Sequence, residues 1–383
     1  MPTKKENFGL YKVLFVSAVA DFKGGAEKCL IQFLQNPSVE PILIVPAYGQ
    51  LTVFAEKNNI PFYVINFGNV SKIKRPLKIS SSLYALRDAI SISKNIMRLA
   101  SELQVDCIHS NGLKTHGILA LTNLFTKTPV ICHIHDIPYT LKERLFWWSL
   151  FLLTNKLLLV SEFCSGSLNI NSEKINVIPN GLAVSKCIFN VTELPDVIRI
   201  GFIGRIHPNK GLHIALTWLV KAKSAGLNFI FSIRGEAAEN DTDYFSSIKQ
   251  YVVDNNLSDC CSFEGKIEDY DELYKDLDVV IMPSVIDEPF GLVAIESFEQ
   301  GVPCIAFPSG ALPKIIVHGD SGFLCSSEEE FILCYTQLFS DLPFYNSIRL
   351  NAYNRVLSEF SLDSLYVKLN DVYSSVNTSK KLF

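Results

Sequence analysis

Met282-Pro283-Ser284-Val285-Ile286-Asp287-Glu288-Pro289-Phe290-Gly291-Leu292-Val293-Ala294-Ile295-Glu296 reads as the end of a buried strand, a proline-containing turn, and a helix beginning near Phe290. A carboxylate stands on each side of that helix start. The first amides of a helix have no partner within it and its dipole favours negative charge there, so the N–H groups of Gly291, Leu292 and Val293 can hold an anion's oxygens. Glu296 lies roughly 6 Å further along the axis at about 1.5 Å per residue, within reach of a neighbouring sugar hydroxyl. Glu288 projects from the turn and can accept from polyol hydroxyls. Either glutamate alone is explained by the helix dipole or by a solvated outer face. The pair is not, because Glu296 falls among Leu292, Ile295 and Phe298 and is expected to be partly covered.

The strand feeding this turn, 279–282, is one of a series of short runs rich in Val, Ile, Leu and Phe that alternate with helical pattern. The first half supplies 12–18, 41–45, 62–65, 107–110, 130–133 and 157–160; the second supplies 198–203, 229–233, 262–264, 279–282 and 304–307. Continuous apolar strands alternating with helices indicate parallel sheets covered on both faces. With 383 residues, two such α/β domains are expected, 1–190 and 196–361, with a helix over about 362–383 packing back on the first. The boundary follows Pro179-Asn180-Gly181, where periodicity fades. Open parallel sheets bind ligands beyond the carboxyl ends of their strands, so the two Rossmann-like domains are expected to face each other across a deep cleft.

Two more strand ends carry chemistry. Gly201-Phe202-Ile203-Gly204-Arg205-Ile206-His207-Pro208-Asn209-Lys210-Gly211 places two cations five residues apart on a loop, where Arg can grip a diphosphate in two places and Lys adds a compact charge. Lys23-Gly24-Gly25-Ala26-Glu27 follows the first strand and opens a helix; Gly24 and Gly25 let backbone amides approach a ligand, although a plain turn uses the same residues.

The composition, 48% hydrophobic and 19% charged, is that of an ordered globular enzyme and excludes collagen, disorder and disulfide miniproteins. The net charge of −4 hides an asymmetry: residues 1–190 carry 20 Lys+Arg and 12 Asp+Glu, a balance of +8, leaving −12 for the remainder. Such a split reports an anionic partner or two domains that attract each other. Ten scattered cysteines with no C-x-x-C fit a reduced cytosol rather than a zinc ribbon. Lys4 and Lys5 before the apolar run 13–20 imitate a signal peptide, but Lys12 abuts the run and a glycine loop follows it as after a first strand. The run 145–160 is interrupted by Lys156 and falls short of the roughly 20 residues that span a bilayer.

Taken together, Gly24 to Glu27, His135-Asp136, Gly204-Arg205 with Lys210-Gly211, and Glu288 with Glu296 eight positions on resemble the retaining glycosyltransferases of family 4, which have the GT-B fold and an E-x7-E motif. The resemblance spans almost the whole chain, with Ser161, Pro179-Asn180-Gly181, Phe263-x-Gly265, Asp278, Pro283-Ser284 and Gly301-Val302-Pro303 as softer agreements. One departure is Arg234-Gly235-Glu236, where the family often has Gly-x-Gly, which leaves Gly235 as the donor-side candidate; another is Lys314, where an acidic residue is common. The resemblance implies that a nucleotide diphospho-sugar, a UDP- or GDP-sugar, binds chiefly to the second domain. Arg205 and Lys210 then neutralise its diphosphate without a metal and without any cofactor. Glu288 contacts the donor sugar, Glu296 the ribose, and the amides of Phe290, Gly291, Leu292 and Val293 the sugar and phosphates, with Pro289 among the donor-side residues. Gly265-Lys266-Ile267 lines the base, while His135 supports the reacting oxygens, with His133 its confusable neighbour. Asp241-Thr242-Asp243 is read as a polar loop rather than a metal site.

The acceptor is expected on the first domain, a saccharide or lipid-linked saccharide in surface polysaccharide, lipopolysaccharide or glycolipid assembly. Lys72, Lys74, Arg75 and Lys78, interleaved with Ile73, Pro76 and Leu77, suit an anionic membrane surface or a solvated face. Leu145, Phe146, Trp147, Trp148 and 150–153 read first as a helix buried beneath the sixth strand and second as an interfacial patch. The expectation is a cytoplasmic enzyme peripheral to the membrane that binds no nucleic acid. A nucleotide-sugar 2-epimerase, or an idle nucleotide-sugar-binding partner, is the alternative.

Overall fold

A computed structural model describes residues 10–22, 24–71, 79–185 and 191–380. The chain divides into two units, Met1–Gly181 with Leu362–Phe383, and Leu182–Ser361. The division falls before residue 190 because Leu182 already belongs to the second unit: its N–H donates to Phe360 O at 2.7 Å and it bridges to Ser361.

The first unit holds strands β1 (Tyr11–Ser17), β2 (Val39–Val45), β3 (Phe62–Val64), β4 (Cys107–Asn111), β5 (Val130–Ile134), β6 (Lys156–Leu159) and β7 (Ile175–Val177). Its helices are α1 (Gly25–Leu34), α2 (Gln50–Lys57), α3 (Gly68–Ser71), α4 (Ile79–Glu102), α5 (Leu113–Asn123), α6 (Leu141–Leu153) and α7 (Glu162–Leu168). The strands form one sheet in the order β3-β2-β1-β4-β5-β6-β7, and every pairing is parallel. Most of the apolar run that imitates a signal peptide is β1, an interior strand paired on both sides.

The second unit holds β8 (Ile198–Ile203), β9 (Phe229–Arg234), β10 (Cys261–Gly265), β11 (Val279–Met282), β12 (Cys304–Ala306) and β13 (Gly322–Leu324). Its helices are α8 (Leu212–Ser224), α9 (Thr242–Asp254), α10 (Tyr270–Tyr274), α11 (Leu292–Glu299), α12 (Leu312–Ile315), α13 (Glu328–Leu338) and α14 (Leu342–Glu359). The sheet order is β10-β9-β8-β11-β12-β13, again all parallel. Both sheets therefore reverse direction once, between β1 and β4 and between β8 and β11, and a doubly wound sheet opens its ligand crevice at such a reversal.

The same device pins each reversal from below. Asp106, just before β4, accepts from Lys12 N at 2.9 Å while its own N–H donates to Lys12 O at 2.8 Å. Asp278, just before β11, accepts from Arg199 N at 2.7 Å and from the Arg199 guanidinium at 2.9 and 3.0 Å. Each aspartate fixes the register of two strands at their amino ends, so the loops at the carboxyl ends start from defined positions.

The last helix, α15 (Leu362–Lys380), packs in the first unit. Leu365, Leu369, Val372, Tyr373 and Val376 join its core, Asn36 Nδ2 donates to Asn370 Oδ1 at 3.0 Å, and Tyr373 Oη meets His109 Nδ1 at 2.9 Å.

Three expectations need correction. The run read as a buried helix is α6, but only its Trp147 and Leu150 are buried, while Leu145, Trp148 and Leu152 are exposed; one stripe of a surface helix suffices to reach the sheet. The polar stretch read as a loop at Asp241-Thr242-Asp243 is a helix start, with Asp243 in the first turn of α9 and Asp241 at 3.7 Å from His207. Strand β13 is absent from the sequence reading because it opens on Gly322 and leaves only Phe323 and Leu324 as an apolar signal. Lys72, Lys74, Arg75 and Lys78 lie outside the described residues. The nine described cysteines are free thiols, and among the described residues no helix is long and apolar enough to cross a membrane.

Candidate functional site

In the second unit the predicted cations and carboxylates converge at the β8/β11 reversal. Strand β8 leads into Gly204, whose φ of +143 suits glycine, and the chain turns through Arg205 to a short 3-10 turn at Pro208–Lys210. Gly211, at φ +70, caps α8, and a Cβ there would clash with Pro283 O. This contact presses the loop after β8 against the turn after β11, and Val285 N closes it by donating to Asn209 O at 2.9 Å.

Across that seam Lys210 Nζ donates to Glu288 Oε1 at 2.6 Å, and Ser284 Oγ donates to the same oxygen at 2.5 Å. Glu288 is buried, so these bonds replace the water its charge has lost. Its main chain is held as well: Ala311 N donates to Glu288 O at 2.8 Å, and a Cβ on Gly310 would lie 2.2 Å from that same oxygen. An ammonium has three protons, so Lys210 can hold Glu288 and a ligand oxygen together. Arg205 is exposed, and no hydrogen bond or ion pair to another described residue engages its guanidinium.

Gly291 (φ +114) caps α11, and Leu292 and Val293 supply the first-turn amides. Pro289 is half-buried in the turn, and Phe290 packs edge-on to Phe360 at 5.8 Å. Glu296 is more deeply buried than its spacing implies, and Tyr274 Oη donates to its Oε2 at 2.8 Å. Burial first, and then the Glu296 charge, push the Tyr274 phenol far up, so it stays a neutral donor. Tyr270 Oη reaches Glu296 O and Glu299 Oε2, each at 3.3 Å. The departure at Arg234 now has a physical reason. Its guanidinium donates to Glu264 Oε2 at 2.9 Å and to the carbonyls of Leu273 and Lys275 at 2.8 and 3.0 Å. It thereby anchors the end of α10, the helix that presents both tyrosines. Gly235 must stay glycine, since a Cβ would sit 1.8 Å from Gly204 O; its N–H donates to Gly265 O at 2.7 Å. Lys266 pairs with Glu268 at 2.7 Å on the surface beside half-buried Ile267.

In the first unit the predicted residues gather at the β1/β4 reversal and the neighbouring end of β5. Gly24 caps α1, whose first residue is Gly25, and Ala26 O accepts from Asn111 Nδ2 at 3.0 Å. With its NH2 group so committed, Asn111 turns Oδ1 to His135 Nε2 at 2.9 Å. That oxygen can only accept, so the Nε2 of His135 carries the proton and its Nδ1 is left as an acceptor. Burial lowers the His135 pKa to about 4, making the ring neutral at pH 7. His133 stacks beneath it at 4.6 Å, fully buried, with neither ring nitrogen hydrogen-bonded among the described residues. His133 is therefore core and His135 is the accessible member. His109 and His116 lie behind them, each lowered to about 3 by burial and then by His135.

The sequence reading did not single out Asn111 or Tyr274, nor give Ser284 a role. Asn111 had a usable signal, as a polar residue at a strand end immediately before a glycine. Tyr274 had none, because only folding brings α10 to α11. Among the described residues no group of three or more His, Cys, Asp or Glu side chains is placed to hold a metal.

Two protein-family models match the chain in tandem, one described as Glycosyltransferase Family 4 over residues 29–186, the other as Glycosyl transferases group 1 over residues 188–355. N-acetyl-alpha-D-glucosaminyl L-malate synthase of Bacillus anthracis is 30% identical over 138 residues, 36% of this chain and 36% of its own length. That match spans about a third of the relative. The UDP-Gal:alpha-D-GlcNAc-diphosphoundecaprenol alpha-1,3-galactosyltransferase of Escherichia coli is 23% identical over 376 residues, 91% of this chain and 92% of the relative. The crystal structure of Anabaena HepE in complex with UDP and glucose aligns with a TM-score of 0.78 at 21% identity, covering 95% of this chain and 100% of that one. At that identity the likeness speaks for the fold.

Proposed function

This chain belongs to the family 4-like glycosyltransferases of the GT-B fold, and from that premise we propose that it moves a sugar, with retention of configuration, from a UDP-sugar to a saccharide or lipid-linked saccharide. The observation that carries the reading is the meeting of Lys210, Glu288 and Ser284 beside the unengaged Arg205 at the β8/β11 reversal. Uridine is preferred over guanosine because the E. coli relative is named for UDP-Gal and HepE was crystallised with UDP. The E. coli enzyme's undecaprenol-linked acceptor supports a lipid-linked acceptor in cell-surface polysaccharide assembly. The two family models describe transferases, so the 2-epimerase and the idle binding partner are not favoured.

In this mechanism Arg205 and Lys210 grip the diphosphate, which gains charge as its bond to the anomeric carbon breaks. Preorganised cations are worth most where charge develops, and no metal is assigned to the step. Glu288, oriented by Lys210 and Ser284, accepts from donor-sugar hydroxyls, and Glu296, oriented by Tyr274, from the ribose. The acceptor hydroxyl forms the new bond on the face the diphosphate leaves, and its proton passes to the departing phosphate. His135, neutral, accepts a hydrogen bond from a hydroxyl at Nδ1 and supports the reacting oxygens. The enzyme would work on the cytoplasmic face of the membrane, where nucleotide sugars and lipid-linked acceptors meet.

Thermal shift with UDP-, GDP-, ADP- and dTDP-sugars tests the donor first. A ligand at 100 times its dissociation constant stabilises by about 2.7 kcal/mol. Stabilisation by UDP-sugars alone supports the reading; equal silence from all four, or turnover of donor to its 2-epimer, would refute it.

A further inference from the structure

Helix α6 has two apolar faces. One, with Trp147 and Leu150, is buried; the other carries Leu141, Leu145, Trp148 and Leu152, exposed by 73%, 61%, 44% and 65%. Spacings of four, three and four residues place these side chains in one narrow arc at about 100° per residue, on the side of the helix away from the buried pair. Single exposed apolar residues are ordinary on a protein surface. A continuous stripe along a whole helix marks a face that something covers, and among the described residues nothing does. Further exposed apolar side chains stand near the helix end. Asn123 Nδ2 donates to Leu153 O at 2.9 Å, bringing the end of α5 beside that of α6, and there Leu124 and Phe125 are 56% and 77% exposed.

The charges around the stripe identify its partner. Lys142 and Arg144 are exposed and flank it on opposite sides, and Lys127 follows Phe125. Glu143, the helix's only acid, turns back to Thr140 N in a capping box at 3.1 Å and does not oppose them. Leucines with a tryptophan, bordered by long cationic side chains, form the chemistry of a helix lying in the headgroup region of an anionic bilayer.

We propose that the outer face of α6, with Leu124 and Phe125, is the surface by which this chain lies on an anionic phospholipid membrane. The inference deepens the lipid-linked acceptor reading by naming the face that meets the lipid, and its test does not depend on sugar transfer.

The full chain is sedimented with vesicles of phosphatidylcholine alone and with vesicles of phosphatidylcholine and phosphatidylglycerol in equal parts. The wild type is expected to bind the anionic vesicles with a blue shift in tryptophan emission, which reports Trp148 because Trp147 and Trp218 are already buried. Leu145→Ser with Leu152→Ser is expected to weaken this at least tenfold while melting temperature and donor-induced stabilisation hold. Lys142→Glu with Arg144→Glu keeps the stripe and is expected to abolish the preference for anionic vesicles. Absence of wild-type binding, or binding unchanged in both variants, would overturn the proposal. So would a wild-type dimer that the serine variant converts to monomer, since the face would then belong to a second copy. Failure of the glycosyltransfer reading would show instead as absent donor stabilisation with vesicle binding intact.

Discussion

The two units share a strand order, a single reversal in it and an aspartate pinning that reversal from below, yet the groups they set at the strand ends are chemically opposite. At the β8/β11 reversal the side chains are ionic: Lys210 and Glu288 touch at 2.6 Å, and Arg205 stands exposed on the same loop as Lys210. At the β1/β4 reversal they are neutral: His135 is held by Asn111, and three further histidines behind it are pushed to low pKa by burial. One scaffold thus serves two tasks. A leaving diphosphate calls for fixed charge, whereas an uncharged hydroxyl is better met by a neutral acceptor that costs little to desolvate.

The sharpest way to break this contrast is to remove the ionic side. Arg205→Ala, Lys210→Ala and Glu288→Ala are each expected to lower kcat/KM at least about a hundredfold, or about 2.7 kcal/mol of transition-state stabilisation, with the far-UV circular dichroism unchanged. Near-normal turnover in all three would sink the assignment.

Acid tests the neutral side. His109 and His116 hold folded pKa values of about 3, against an unfolded value near 6.5. Above pH 6.5 neither state takes a proton, so pH has no effect through them. As pH falls below 6.5 the unfolded chain protonates while the folded chain does not, and stability is lost across the window from 6.5 to about 3. At pH 5 each histidine costs about 2 kcal/mol. Urea midpoints measured from pH 7.5 to 5 should fall accordingly, and His133→Leu should remove one proton from the slope with little effect at pH 7.5.

Smaller effects refine the comparison. Asn111→Ala frees the His135 ring and is expected to lower kcat about tenfold with KM for the donor unchanged. A raised donor KM instead would move His135 to the binding role. Tyr274→Phe removes the phenol from Glu296 Oε2, and a loss of about threefold to fivefold in kcat/KM, concentrated in KM, is expected from one hydrogen bond. If Glu296 reads the ribose, discrimination against a 2′-deoxyribose donor should shrink in the same variant.

Much of this was legible in one dimension. Eleven of the strands fall in the short runs read from the sequence; the interior ones stand out because a strand buried on both faces has no polar side to interrupt it, whereas the edge strands β3 and β10 are partly exposed. Glu288, Lys210 and Arg205 stand out as charges at strand ends, where a parallel sheet delivers its ligands. The stripe on α6 did not announce itself: Leu145 to Leu153 is apolar nearly all round, and periodicity cannot say which arc faces the sheet. Arg234 looked like a lapse from a glycine pattern until its contacts with the end of α10 appeared.

Two parallel α/β units, the strand-end positions of their functional groups and the opposite charge balance of the halves are written in residue order alone, since these depend on local pattern and spacing. Which residues share a bond emerges on folding: Lys210 with Glu288 across 78 positions, Tyr274 with Glu296, Asn111 with both Ala26 and His135. Those partnerships depend on strand order and on which helix faces pack, and packing is settled by the whole core at once rather than by any single segment.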